Sequence, residues 1–145
     1  MHEGVNGEWS FVETQRHLIF VTDAWVCRTI LGETAACHRL GMPPDHRIGR
    51  PDAAVDVKAW GIDVSAEDSL SEVLHVRAER MRVVREIVGG LTPDELSRTC
   101  MHNPAPGFPP MTALAISFCL NIVIGEEWAH YEFATRDLGL LERGS

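Results

Sequence analysis

Apolar residues recur at helical spacing in three long stretches of this chain, and capping signals mark where the helices begin. The first stretch starts at Ser10, where Glu13 completes a capping box, and continues to about Leu31, with Gly32 as a C-terminal stop. Its apolar positions cover a broad face: Phe11, Val12, Leu18, Ile19, Val21, Trp25, Val26 and Ile30. This pattern predicts an amphipathic helix.

The second stretch begins at a capping box formed by Ser69 and Glu72, and it ends at Gly89-Gly90. One row along it is mostly apolar at spacings of three and four: Leu70, Val73, Leu74, Arg77, Met81, Val84 and Val88. The densest basic group of the chain also lies here, interleaved with Glu79 and Glu86: Arg77, Arg80, Arg82 and Arg85. Because the charges alternate in sign, we interpret this group as a solvated helix face.

A short third helix is expected after Thr92, with Pro93 at its first position and its end near Thr99 or Cys100. The last long helix spans roughly 112–138. No stretch alternates as a strand does, and no internal repeat occurs. The sequence therefore predicts one all-α domain over residues 1–145, a helical bundle of up and down helices.

Two proline-rich stretches separate the long helices. Residues 33–67 are long for a structureless loop, and a crossover connection spanning the length of a bundle would explain them. Residues 101–111 contain four prolines and are expected to form a second loop. These two segments are the expected walls of a pocket, and residues 1–8 are expected to be a tail.

The composition narrows the class of partner. The net charge is −8 and the thirteen basic residues are dispersed, which argues against nucleic acid. The uncharged run 112–125 is shorter than the ~20 residues of a membrane span, so no membrane partner is expected. The four cysteines have no C-x-x-C spacing and the N-terminus does not look like a secretory signal. These features predict a cytoplasmic protein with reduced thiols.

Candidate chemistry concentrates at the end of the uncharged run. Glu126 and His130 stand four residues apart, so they share one helix face and could hold one cation. Glu127, three residues before His130, is the alternative carboxylate ligand, and the spacing of four favours Glu126. His17 is the best third ligand, since its row on the first helix continues into Phe20 and Val21. Two histidines and a carboxylate leave positions open for water or substrate, as in catalytic zinc and non-haem iron sites.

A di-iron centre is the alternative, because Glu127-x-x-His130 and Glu72-x-x-His75 both match Glu-x-x-His. Glu72 and His75, however, share a row with the charged residues Glu79, Arg82 and Glu86. We interpret that row as the solvent-facing side of its helix. A mononuclear site is therefore the preferred hypothesis.

Several segments resemble one known family, the DinB/YfiT-like superfamily of small bacterial metalloproteins. GEWSFVETQRHLIFVTDAW (7–25) and GEEWAHYEFATRDL (125–138) are similar to its two ligand-bearing helices. LSEVLHVRAERMRVVREI, followed by LTPDEL, resembles its third helix and the turn after it. The resemblance implies a DinB-like four-helix bundle.

The resemblance also implies a ligand set and a chemistry. It places the metal ligands at His17, Glu126 and His130, and glutamate at the second of these positions resembles the mycothiol-dependent maleylpyruvate isomerase branch. It implies a divalent ion, zinc above nickel or iron, that activates a low-molecular-weight thiol such as mycothiol or bacillithiol toward an electrophile. Glu127 is then the candidate acid–base residue, as a base or as a group that orients a ligand.

Two further expectations complete the hypothesis. Family members carry a helix before the GEWS motif, whereas eight residues precede Trp9 here. Either a partner chain completes the bundle or the given sequence starts late. The first alternative predicts an exposed apolar groove and a homodimer. The alternative to an enzyme is a non-catalytic metal- or ligand-binding bundle, associated with stress.

Overall fold

The computed structural model describes residues 9–35, 37–44, 57–109 and 113–143. The regular elements of these residues are helices, apart from one isolated bridge between Thr99 and Ala115. They are α1 (Phe11–Thr22), which continues as a π-helical segment (Asp23–Ile30), α2 (Leu70–Gly90), α3 (Pro93–Leu96) and α4 (Ile116–Arg143). The predicted all-α class is confirmed, and the predicted tail 1–8 lies outside the described residues.

The two predicted capping boxes form, and α3 begins at Pro93 as predicted. The hydroxyls of Ser10 and Ser69 accept a hydrogen bond from the backbone N–H of the glutamate three residues later, whose carboxylate accepts from the serine N–H in return. At the start of α3, Thr92 donates its backbone N–H and its hydroxyl to the Glu95 carboxylate, at 2.8 Å and 2.9 Å. At the other end of the first helix, Gly32 adopts φ +70°, a left-handed conformation that suits glycine. Glu33 N–H then donates to the Cys27 carbonyl at 3.0 Å, which closes the helix.

The π-helical segment was not predicted. Leu31 N–H donates to the carbonyl of Val26, five residues earlier, at 2.9 Å, where an α-helix would use the fourth. Asp23 opens this segment, and its carboxylate accepts from Arg80 of α2 at 2.5 Å and from the His38 backbone at 2.8 Å. This widened part of the helix is therefore tied to α2 and to the connection that follows it.

α1 and α2 run in the same direction. Val12 and Ile19 share a buried cluster with Val73 and Val76, while farther along Asp23 reaches Arg80. Parallel neighbours need a connection as long as the helices, and residues 33–67 supply it, as predicted. The described part of this connection also contributes buried side chains to the core: Leu40, Pro43, Trp60 and Ile62.

α4 runs opposite to both. Its first turns contact the π segment, where Trp25 meets Phe118 with ring centroids 6.1 Å apart, and its middle faces the start of α1. α1 lies between α2 and α4 and packs against both. In the described part of the chain, no helix has the length and apolarity to cross a membrane.

The boundaries of α4 differ from the prediction of 112–138. The helix begins at Ile116, because the residues just before it pair with residues 98–100 instead. Cys100 N–H donates to the Leu114 carbonyl at 2.7 Å, and Ile116 N–H donates to Arg98 at 3.0 Å. The same pairing ends α3 at Leu96, earlier than the predicted Thr99 or Cys100. α4 then continues five residues beyond the predicted end, to Arg143.

Candidate metal centre

α1 brings His17 to the centre of the candidate site. The residue is 4% exposed, and its Nδ1 lies 2.9 Å from the carbonyl oxygen of Met42. Because a carbonyl can only accept, Nδ1 carries the hydrogen and donates it. In the neutral ring, Nε2 is then left with a lone pair, which is the form that binds metals.

α4 brings the other two side chains to the same point. Glu126 Oε2 lies 3.5 Å from His17 Nε2 and 3.6 Å from His130 Nε2. All three candidate ligand atoms lie within 4.8 Å of one another. Ligands around a tetrahedral zinc ion stand about 3.3 Å apart, given bonds near 2.0 Å. The distances from Glu126 to the two histidines are therefore close to the separation of ligands around zinc.

The electrostatics of this group favour a cation at its centre. The imidazoles of His130 and then of His17, within 3.6 Å of its carboxylate, lower the pKa of Glu126 to about 2. The carboxylate is therefore ionised at neutral pH. The His17 Nε2 lone pair and a carboxylate oxygen repel each other unless a proton or a metal ion lies between them. This donor set fits a divalent metal ion.

Aromatic rings enclose the two imidazoles. The Trp9 ring lies 4.7 Å from the His17 ring and stacks on the His130 ring at 6.2 Å, with an angle of 7° between the planes. Phe133 meets His130 edge-on at 6.0 Å, and Phe20 lies 6.3 Å from His17. These rings limit the imidazoles' freedom to rotate and shield them from water, whereas Glu126 is 40% exposed.

Arg16 fixes the crossover connection beside His17. The residue is 5% exposed, and its guanidinium donates to the carbonyls of Leu40 at 2.9 Å, Asp63 at 2.6 Å and Ala66 at 3.0 Å. Met42 N–H donates in turn to the Arg16 carbonyl at 3.1 Å. Both arms of the connection therefore meet at the residue before His17. The sequence analysis did not identify Arg16. Its position within the broad apolar face of the first helix could have predicted that it is buried.

Glu127 forms an ion pair with Arg77 of α2. The Arg77 side chain is 8% exposed, and burial lowers the pKa of its guanidinium to about 10, so it remains charged at neutral pH. The interpretation of the whole basic group as a solvated face is wrong, since Arg77 is buried and Arg80 pairs with Asp23. The burial of Arg77 could have been predicted from the sequence, because Arg77 occupies a position in the apolar row of its helix.

The residues of the di-iron alternative lie apart from this group. Glu72 is exposed and caps α2, and His75 is exposed and lies 3.6 Å from Glu79 on the same helix. The polar row predicted for α2 is therefore confirmed. The structure brings together His17, Glu126 and His130, whereas the carboxylate of Glu127 pairs with Arg77 of α2.

The proline-rich loop 101–111, predicted as a pocket wall, is separated from His17 by the ring of Phe20. Arg28 donates to the carbonyls of Asn103 and Pro106, each at 3.4 Å, and so holds the proline-rich loop against the π segment. Phe108 from this loop stacks on Phe20 at 6.1 Å, and Phe20 in turn contacts His17. The loop therefore supports the site from behind.

The family model of the DinB superfamily matches residues 2–134, nearly the whole chain. The chain belongs to the DinB superfamily. Its members are metal-binding proteins, which agrees with the His/Glu/His group found here. The match identifies the superfamily and not a branch within it. No curated protein and no solved structure matched the chain.

Proposed function

We propose that the chain is a metal-dependent enzyme of the thiol S-transferase or isomerase type. In this proposal His17, Glu126 and His130 hold one divalent ion. The observation that supports it most is the convergence of Glu126 with two imidazoles, one of which has its Nε2 lone pair fixed by Met42. Two nitrogens and one oxygen suit zinc, and they also suit nickel or iron.

A bound divalent ion would lower the pKa of a thiol or water beside it, which provides a nucleophile at neutral pH. The protein's own residues orient the donors: Met42 fixes the His17 ring, and Trp9 and Phe133 restrict the His130 ring. The substrates we propose are a low-molecular-weight thiol, such as mycothiol or bacillithiol, and an electrophile.

Glu127 is proposed to orient a ligand or to accept a proton, since it directly follows the ligand Glu126. Its pair with Arg77 joins this turn of α4 to α2. We also propose a cytoplasmic location. In support of this, the four cysteines are free thiols, and burial raises the pKa of Cys27, Cys37 and Cys119 to about 12.

A non-catalytic metal- or ligand-binding bundle is the second candidate. The pair between Arg77 and Glu127 favours it, because this carboxylate is already engaged by a guanidinium and is less available to act on a substrate. This candidate shares the metal site and differs in having no thiol chemistry.

Metal analysis of protein purified without a histidine tag tests both candidates. We expect about one equivalent of metal in the wild type and in His75→Ala, whose histidine is exposed, and a loss in His17→Ala and His130→Ala. Less than about 0.1 equivalent in the wild type, unchanged in the two site variants, would refute the metal site.

Mixing the metal-loaded protein with a thiol and a panel of electrophiles then separates the enzyme from the binding bundle. The enzyme forms a thiol adduct or a rearranged product, detected by mass spectrometry, and His17→Ala does not. Bound metal without any product over the panel would favour the non-catalytic candidate.

A further inference from the structure

Two of the four cysteines, Cys100 and Cys119, lie together where the proline-rich loop meets α4. They belong to one buried cluster with Ile116 and Leu120, and they are 8% and 0% exposed. Cys100 directly precedes the loop, and Cys119 lies in the first turn of α4. Both are free thiols.

Backbone pairing holds these two cysteines close to each other. Thr99 forms a bridge with Ala115, and the Cys100 N–H donates to the Leu114 carbonyl at 2.7 Å. The Cys119 N–H donates to the Ala115 carbonyl at 3.3 Å, so Cys119 lies one helical turn beyond the residue that faces Thr99. The two cysteines are therefore neighbours in space, although the whole proline-rich loop lies between them in the sequence.

The surroundings of the two thiols give them different reactivity. Burial, and then the neighbouring Cys100 thiol, raise the pKa of Cys119 to about 12. Cys119 therefore keeps its proton at neutral pH, and a protonated thiol is a poor nucleophile. Cys100 is the more exposed of the two, and the next residue, Met101, is 85% exposed. An oxidant therefore reaches the pair from the side of Cys100.

We propose that Cys100 and Cys119 are a redox-active pair that hydrogen peroxide converts into a disulfide. The Cys100 thiolate attacks one peroxide oxygen, the O–O bond breaks, and the hydroxide that leaves takes up a proton to become water. The Cys119 sulfur then attacks the sulfur of the Cys100 sulfenic acid, and the S–O bond breaks. The departing hydroxide takes the Cys119 proton. The two thiols lose two electrons, which the peroxide gains, and the products are one disulfide and two water molecules.

This disulfide fastens the proline-rich loop to α4. It closes a loop of about twenty residues, 100–119, which the reduced chain holds by hydrogen bonds such as those from Arg28. A covalent link of this kind restricts the unfolded chain and so stabilises the fold. Because Phe108 of the loop stacks on Phe20, which contacts His17, oxidation also secures the packing behind this histidine.

Mass spectrometry of the folded chain after treatment with peroxide tests the pairing. Trypsin leaves both cysteines in one peptide, residues 99–136, which should lose two hydrogens and regain them with dithiothreitol. Oxidation of the exposed Met101 instead adds an oxygen, so the two changes differ in mass. Chymotrypsin, which cleaves after Phe118, should give two peptides that separate only after reduction. A linkage of either cysteine to Cys27 or Cys37 would overturn the proposal, and so would the absence of any linkage.

Cys27→Ala/Cys37→Ala is the matched control, because it removes the other two thiols and leaves the pair intact. It should form the linkage as the wild type does, whereas Cys100→Ala should not. Oxidation should raise the midpoint of thermal unfolding by about 10 °C in the wild type and in the control, and should not change it in Cys100→Ala. An equal rise in Cys100→Ala, or a linked chain without any rise, would overturn the proposal. The mapping of the wild-type linkage does not depend on any variant.

Discussion

His17 Nδ1 lies 2.9 Å from the carbonyl oxygen of Met42, so the crossover connection determines which nitrogen of this histidine faces Glu126. The ligand from α1 is thus oriented by a backbone group 25 residues away in sequence. A histidine whose ring is already fixed needs less rearrangement when it binds a metal ion. The orientation is a property of the folded chain.

Nitrogen-15 NMR of the histidine side chains tests this orientation. In metal-free protein near pH 8, we expect His17 to be the Nδ1–H tautomer, since the Met42 carbonyl requires a donor. One equivalent of zinc should then shift the Nε2 resonances of His17 and His130. The exposed His75 should not respond. An Nε2–H tautomer at His17 would contradict the prediction.

Removing Arg16 should weaken metal binding without removing a ligand. Arg16→Met deletes the hydrogen bonds to Leu40, Asp63 and Ala66, which position the connection that carries Met42. We expect the zinc dissociation constant to rise by about 10- to 100-fold, the usual effect of losing a group that orients ligands. Competition with a chromophoric chelator measures it.

Arg39→Met is the control for this substitution. Arg39 lies in the same connection, but it is exposed and pairs with Asp68 at the surface. Its replacement should change zinc affinity less than about twofold, because surface ion pairs contribute little. Equal effects of Arg16→Met and Arg39→Met would show that Arg16 does not orient the site.

The ion pair between Arg77 and Glu127 should appear as a coupling in stability. Arg77→Met leaves Glu127 without its partner and is expected to lower the free energy of unfolding by about 1–3 kcal/mol, less than for a fully buried pair because Glu127 is 31% exposed. The double variant Arg77→Met/Glu127→Gln should lose less free energy of unfolding than the two single variants lose together. Urea unfolding measures the free energy of unfolding of each variant. Arg85→Met is the control: Arg85 is exposed, so its replacement is expected to leave the free energy of unfolding within about 0.5 kcal/mol of wild type.

The cysteines should react slowly in the folded chain. Burial, and then the nearby Asp23 carboxylate, raise the pKa of Cys27 and Cys37 from 9.0 to about 12. A rise of three units leaves about a thousandfold less thiolate at pH 8, and only thiolate attacks alkylating reagents. Labelling with iodoacetamide, followed by mass spectrometry, should be about a thousandfold slower than in urea. Labelling at similar rates in both states would refute this.

The helices were predictable because their signals are local. The helix caps involve residues within one or two turns of each other: Ser10 with Glu13, Ser69 with Glu72, and Gly32 in its left-handed conformation. Glu126 and His130 could also be predicted as a pair from the sequence, since residues four apart lie on the same face of any helix. His17 could be added because its row becomes apolar, which predicts an inward direction.

The remaining features depend on contacts between segments far apart in sequence. Met42 reaches His17 only when the connection folds back, and the bridge between Thr99 and Ala115 moves the start of α4. Arg77 was misassigned because arginine is rarely buried, although its apolar row pointed inward. Only the fold shows that Glu127 supplies its partner.

Acid should destabilise the metal-free protein through Glu126. The nearby imidazoles of His130 and then of His17 lower its pKa from 4.5 to about 2 in the folded chain. Because the unfolded chain binds the proton first, this carboxylate stabilises the fold above pH 4.5, and its contribution disappears as the pH falls from about 4.5 to 2. Glu126→Gln cannot titrate, so it should be less stable than wild type at pH 7 and lose less stability over that interval. Urea unfolding in the presence of a chelator, repeated at several pH values, measures the difference. Parallel pH profiles for the two proteins would show that Glu126 is not held by the histidines.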